Sequence, residues 1–285
     1  MTPTLVRQHL SHTGEASRVD RGARARDWSE IQERMLVPLY EAVYERLEVG
    51  PATRLLGLGC GSGLALLIAA SRGAAVSGVD SSSPERLALA RERLLPEKWD
   101  TRARAGARLV CGPPEDAAGA EAPAFTLVTA FEPIGCLAGD SEGLGELLAS
   151  AVPLAGRGAP VVLAGWGPPE RCATSSVLRV ATKLADPLRS TGSWRPALRD
   201  DLEEVAQRAG LKPDGSGRVA CPFGYAGLDS ALRGLLSTGL FDAAISATDQ
   251  AQVDKEVTEA LHPYRRRDGT VWMPNVFRYL IARIP

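Results

Sequence analysis

The stretch LLGLGCGSG, Leu55–Gly63, decides how the rest of the chain is read. It carries glycines at 59, 61 and 63 and leads into the apolar run LALLIAA. An apolar run, a glycine-rich turn and a second apolar run read as strand, tight turn and helix. The glycines permit dihedrals and close backbone approaches that a side chain forbids. A helix opening at Gly63 points free N–H groups and positive partial charge into the loop. Further on, Asp80 closes the next apolar run, AAVSGVD. An acid at the end of a second strand is placed to accept hydrogen bonds from ribose hydroxyls. A plain βαβ turn with a solvated Asp80 is the competing reading. Strand, loop, helix, strand and acid in that order favour adenosine-type binding.

Outward from this unit the alternation continues. TRLLGL, AAVSGVD, ARLVCG, APAFTLVTAF and APVVLAGW read as strands, with helices over 63–72, 84–95 and 142–152. Strands alternating with helices predict a parallel, doubly wound α/β sheet, and near-continuous apolar strands are buried on both faces. The expected division is an N-terminal helical segment or lid over 1–50, a Rossmann-like core over 51–221, a helical lid insertion over 222–270 and a final sheet strand over 271–285. Residues 1–25 are polar and Arg-rich. Trp28, Ile31, Met35, Leu39 and Val43 then follow at helical spacing, with a break expected near Pro38. The final stretch VWMPNVFRYLIARI reads as one strand with Pro274 near its start.

Composition excludes several function classes. The chain has 285 residues, 45% of them hydrophobic, which is enough for a sizeable core. Its net charge of −1 offers no general attraction to nucleic acid or anionic lipid. No stretch approaches the roughly 20 apolar residues that span a bilayer. The N-terminal run has no apolar core of a secretory signal, so a cytoplasmic location is expected. Cysteines 60, 111, 136, 172 and 221 form no C-x-x-C pair and read as reduced thiols used as small apolar residues. His9 and His12 lie in the polar tail, and no metal site is expected.

The chain resembles the class I S-adenosylmethionine-dependent methyltransferases of the bacterial small-molecule type. The resemblance covers roughly residues 28–285. It rests on RLLGLGCGSGLALLIAASRGAAVSGVD, SPERLALARERL, GPPEDA after the third strand, FTLVTAF and FRYLIAR. It implies a seven-stranded, mostly parallel Rossmann-like sheet with an antiparallel last strand and a helical lid. It also implies S-adenosylmethionine across the carboxyl ends of the first strands, held by Gly59, Cys60, Gly61, Gly63, Asp80, Ser81 and Phe131. Three acidic positions of the family pattern are altered. The acid that orients the loop and the cofactor's ammonium is Gly57 here, the acid at the adenine amino group is Pro113, and the acid opening the fourth strand is Thr126. Glu115 or Asp116 is the expected substitute at the adenine. Binding is expected to be weakened or lost, and restoring an acid at 57 is expected to tighten it.

Glu132 in TAFEPIGC follows the fourth strand, beside the expected position of the transferred methyl group. Among apolar neighbours it is a candidate general base of raised pKa, against the reading of a solvated loop carboxylate. His262 in LHPYRRRDG is the second candidate, against a plain helix-end histidine. Trp28, Tyr40, Trp166 and Tyr225 are candidates for an aromatic substrate wall, with Trp194 and Trp272 behind them; core packing competes for each. The readings left open are a methyltransferase acting on a small molecule in secondary metabolism, a biosynthetic cyclase on the same fold that has lost methyl transfer, and an inactive partner subunit. The expected partner is a small-molecule substrate, with no nucleic acid and no membrane, in a monomer or homodimer.

Overall fold

The computed structural model describes residues 20–95, 107–119, 123–134, 141, 143–185 and 201–285. His9, His12, Cys136 and Trp194 lie outside the described residues. The sheet has seven strands: β1 (Arg54–Leu58), β2 (Ala75–Val79), β3 (Ala107–Val110), β4 (Leu127–Ile134), β5 (Pro160–Trp166), β6 (Lys212–Ala220) and β9 (Val276–Arg283), in the order β3-β2-β1-β4-β5-β9-β6. Strands β1 to β5 pair in parallel, while β9 runs antiparallel between β5 and β6. This is the mostly parallel α/β sheet that the glycine loop and the alternating apolar runs predict.

Successive residues of β1 serve opposite faces. Leu55 belongs to one core cluster, while Leu56 and Leu58 belong to the other. The first face is covered by α2 (Val37–Arg46), α3 (Leu64–Ser71), α4 (Pro84–Leu94) and the helices that precede the last strand, while α1 (Arg21–Asp27) packs against α4. α5 (Leu144–Ala151) and α7 (Asp201–Arg208) pack on the second face, while α6 (Thr174–Ala185) joins the first. α4 begins as its sequence predicts: Ser83 Oγ accepts from Arg86 N at 3.2 Å, and Pro84 occupies the first turn.

The N-terminal segment is not broken at Pro38, which fits the first turn of α2 without losing a bond. The irregularity comes earlier. A π-helical turn spans Trp28–Gln32, followed by a 3-10 turn at Glu33–Leu36. The 222–270 segment holds α8 (Leu228–Ser237), α9 (Asp242–Ala247) and α10 (Gln250–Leu261). Arg24 pairs with Asp242 at 2.8 Å and Arg233 with Asp27, so these helices and α1 form one cap.

The last stretch is two strands rather than one. β8 (Val271–Met273) pairs with β7 (Phe223–Tyr225) in a separate ribbon, and β9 joins the main sheet. Asn275 turns the chain between them. Its Oδ1 accepts from Thr174 N at 3.1 Å and its Nδ2 donates to Met273 O at 3.3 Å. No described helix is long and apolar enough to cross a membrane.

Candidate functional site

The loop after β1 has the geometry its glycines allow. Gly59, Gly61 and Gly63 sit at φ +58°, +55° and +79°, a region closed to most side chains. A Cβ at Gly63 would also lie 2.9 Å from Ala90 Cβ, so glycine lets α3 and α4 approach. Asp80 is buried directly behind the loop. Its Oδ2 accepts from Gly61 N at 2.9 Å, and its Oδ1 accepts from Ser82 N at 2.8 Å and Ser82 Oγ at 2.7 Å. The acid read as a ribose acceptor thus also holds the loop. A carboxylate has about four lone-pair sites, so Oδ2 keeps capacity for a ligand hydroxyl.

Two hollows lie at the carboxyl ends of β1, β2 and β4. The outer one has about 580 Å³ and is bordered by Ser81, Gly112, Pro113, Ala130, Ile134 and Leu147. That is within the usual size range of small-molecule sites. The inner one lies over the loop and has only about 30 Å³ of open space. Trp28, Glu33, Tyr40, Asp80, Arg86 and Phe131 border it. Leu58, Gly59 and Glu132 border both.

The expected residues divide on this map. Gly59, Cys60, Gly61, Asp80, Phe131, Trp28 and Tyr40 border the inner hollow, Ser81 the outer, and Glu132 their junction. Glu132 is exposed there rather than sunk among apolar groups. Tyr40 packs on Phe131, ring centroids 4.9 Å apart. Burial first, then Glu33 and Tyr44, push its phenol well above the ordinary range, so it stays neutral. Arg86 lies over the Trp28 ring at 4.2 Å and donates to Ser237 O at 2.7 Å. Burial lowers its pKa, against the pull of Glu132 and Asp80.

Other expected residues fall outside both hollows. Trp166 packs against Phe277 at 4.5 Å and Phe223 at 6.1 Å, and buried Tyr225 donates to Gln32 Oε1 at 2.9 Å. Tyr225 lies in the core and Trp166 packs against it. His262 is exposed on the 3-10 turn after α10 and borders neither hollow. Glu115 and Asp116 are exposed on a 3-10 turn, where Asp116 folds back on Gly112. Cys60, Cys111, Cys172 and Cys221 are free thiols. No group of three or more potential metal ligands occurs among the described residues.

The three altered acids have separate physical causes. Gly57 lies beside Gly78 in the register of β1 and β2, and Leu66 from α3 fills the space above both. A Cβ at 57 would lie 2.9 Å from Leu66 Cδ2, and one at 78 would lie 2.5 Å from Leu66 Cδ1. Gly57 is therefore the seat of a core side chain at the edge of the inner hollow, and an acid there requires Leu66 to shift. Thr126 stands before β4, at the opposite end of that strand from Glu132. Its Oγ1 accepts from Arg54 N at 2.9 Å, so it splices β4 to β1 without reaching the site. Pro113 borders the outer hollow as an apolar wall.

Sequence reasoning missed Glu33. It is 3% exposed, its Oε2 accepts from Arg93 Nη1 at 2.8 Å and from Ser62 Oγ, and its Oε1 accepts from Leu64 N at 3.4 Å. A carboxylate from the N-terminal segment thus caps α3 and stands against the glycine loop. In an ideal α-helix Glu33 would turn away from the face that carries Trp28. The π turn, closed by Glu33 N donating to Trp28 O, brings both to the loop.

No protein-family model matches the sequence, and no curated protein matches it. Solved structures do match. A protein of Bacillus halodurans assigned as a methyltransferase is 14% identical, with a TM-score of 0.53 over 86% of this chain and 98% of that one. YcgJ of Bacillus subtilis is 13% identical, with a TM-score of 0.52 over 86% of this chain and 98% of that one. The [4+2]-cyclase SpnF is 15% identical, with a TM-score of 0.50 over 87% of this chain and 80% of that one. At such identities the likeness is one of fold, and it agrees with the strand order: the chain has the fold of the class I methyltransferases.

Proposed function

We propose that the chain is an S-adenosylmethionine-dependent methyltransferase acting on a small molecule, in secondary metabolism. The observation that carries this reading is the pair of hollows that meet at Glu132 over an intact glycine loop and a buried Asp80. The residues present fit the cofactor. Asp80 and the loop suit a ribose, the outer hollow beside Ser81, Pro113 and Ala130 has room for a nucleobase, and Glu33 offers a carboxylate at the inner end. When bound, the cofactor supplies an electrophilic methyl group. Tyr40, Phe131 and Trp28 exclude water from the inner end. Glu132, exposed at the junction, takes a proton from a hydroxyl or amine of the substrate. His262 has no part in this scheme.

Calorimetry with S-adenosylmethionine tests the proposal. A dissociation constant in the micromolar range is the expected result, and absence of binding at millimolar cofactor overturns it. Glu132→Gln is expected to slow turnover about 10²-fold or more, read as S-adenosylhomocysteine release with the true substrate. Unchanged turnover between pH 6 and 9 removes Glu132 from the chemistry.

The second reading is a non-methylating cyclase. The narrow inner hollow favours it, because about 30 Å³ leaves little room beside the loop. The fold shared with a [4+2]-cyclase is consistent with this reading. On this reading Glu132 of the present chain acts as acid or base on a substrate folded within the outer hollow.

A further inference from the structure

Resting on the methyltransferase reading, we propose that Glu33 is the residue that binds the cofactor's α-ammonium group, in place of the carboxylate that Gly57 lacks. A side chain at position 57 would meet Leu66 Cδ2 at 2.9 Å, and the residue that stands there carries no carboxylate. Glu33 reaches the same loop from another element. Its two oxygens are unequally used. Oε2 is held by Arg93 and Ser62, whereas the contact Oε1 makes with Leu64 N is long, at 3.4 Å. A Cβ at Gly61 would lie 3.6 Å from that same Oε1, which places it against the loop backbone. Glu33 also borders the inner hollow, as does Trp28, whose buried Nε1 has no partner among the described residues.

Charge points the same way. Glu33, Asp80 and Glu132 border the inner hollow against Arg86, a formal balance of 1 − 3 = −2, and Arg93 behind Glu33 brings it to −1. The surplus favours a cationic group. Arg93 does more than neutralise. Its Nη1 donates to Ser62 O at 2.9 Å and its Nη2 to Ser29 O at 3.0 Å, which fixes the Glu33 carboxylate between the N-terminal segment and the loop. An acceptor held this rigidly loses little entropy when it takes an ammonium.

Calorimetry with three ligands on one protein separates this role from a structural one. S-adenosylhomocysteine carries the ammonium, its desamino analogue lacks only that group, and 5′-methylthioadenosine lacks the whole amino-acid end. Glu33→Gln is expected to weaken S-adenosylhomocysteine about 10- to 100-fold and to leave methylthioadenosine unchanged. On the unaltered protein the desamino analogue is expected to bind about 10-fold or more weakly than S-adenosylhomocysteine, and this arm needs no folded variant. If Glu33→Gln weakens S-adenosylhomocysteine and methylthioadenosine equally, or if the desamino analogue binds as well as the parent, the assignment of Glu33 is overturned while the cofactor reading stands. If the unaltered protein binds none of the three at millimolar concentration, the cofactor reading falls and this assignment with it.

Discussion

Replacing Arg93 by methionine should cost about 3–5 kcal/mol of stability. Arg93 is the cation beside a Glu33 side chain that is 4% exposed. Removing it leaves that carboxylate buried and uncompensated, and it also removes the bonds that Arg93 donates to Ser29 O and Ser62 O. Proteins of this kind are stable by only about 5–15 kcal/mol, so the loss is a large share. Urea denaturation at pH 7 measures it. The companion variant, Arg93→Met with Glu33→Met, removes both charges. It is expected to recover part of the loss, because an apolar pair of similar volume replaces a buried ion pair at little cost. A loss below about 1 kcal/mol for Arg93→Met would mean that the pair is solvated like a surface bridge.

Gly57→Asp should destabilise by about 3–5 kcal/mol rather than improve cofactor affinity. Gly57 is buried in β1, and Leu66, 1% exposed, sets one methyl over Gly57 and the other over Gly78, so it must shift against both strands to admit a side chain. Overpacking accounts for about 1–3 kcal/mol, and burying a carboxylate without a partner adds the rest. Urea denaturation again reads the loss. A double-mutant cycle with Gly57→Ala and Leu66→Ala isolates the contact, since the side chain that clashes in the first is absent in the second. The two changes are expected to be less destabilising together than their sum. Strict additivity, or tighter binding of S-adenosylmethionine by Gly57→Asp, would show that Leu66 does not govern position 57.

These two results concern the parts of the molecule that linear patterns describe least well. The glycine loop was legible because its signals are local: three glycines whose dihedrals are set within a few residues, and Asp80 at the end of the next strand. The helix cap at Ser83 and the strand order were legible for the same reason, since apolar runs and turn residues act on neighbouring backbone. Gly57 was read as an absent acid; what the linear pattern did not give is Leu66, nine residues on and packed across two strands. Thr126 looked like a lost site residue, yet it belongs to the other end of β4. Glu33 gave no signal because helical periodicity assumes 3.6 residues per turn, and a π turn changes the face on which Glu33 emerges.

The sequence by itself determined the doubly wound sheet and the glycine loop with its acid; it set Glu132 just beyond the fourth strand, whereas β4 runs on to Ile134 and contains it. Each follows from side-chain period and backbone conformations that neighbouring residues decide among themselves. Tertiary structure alone decided which aromatics face the hollows and which pack the core, why β8 and β9 part at Asn275, and which carboxylate stands at the loop. Those outcomes depend on contacts between segments far apart in the chain: Glu33 meets Arg93 across 60 positions, and Tyr225 meets Gln32 across 193. Close packing, which no local pattern encodes, selects among them.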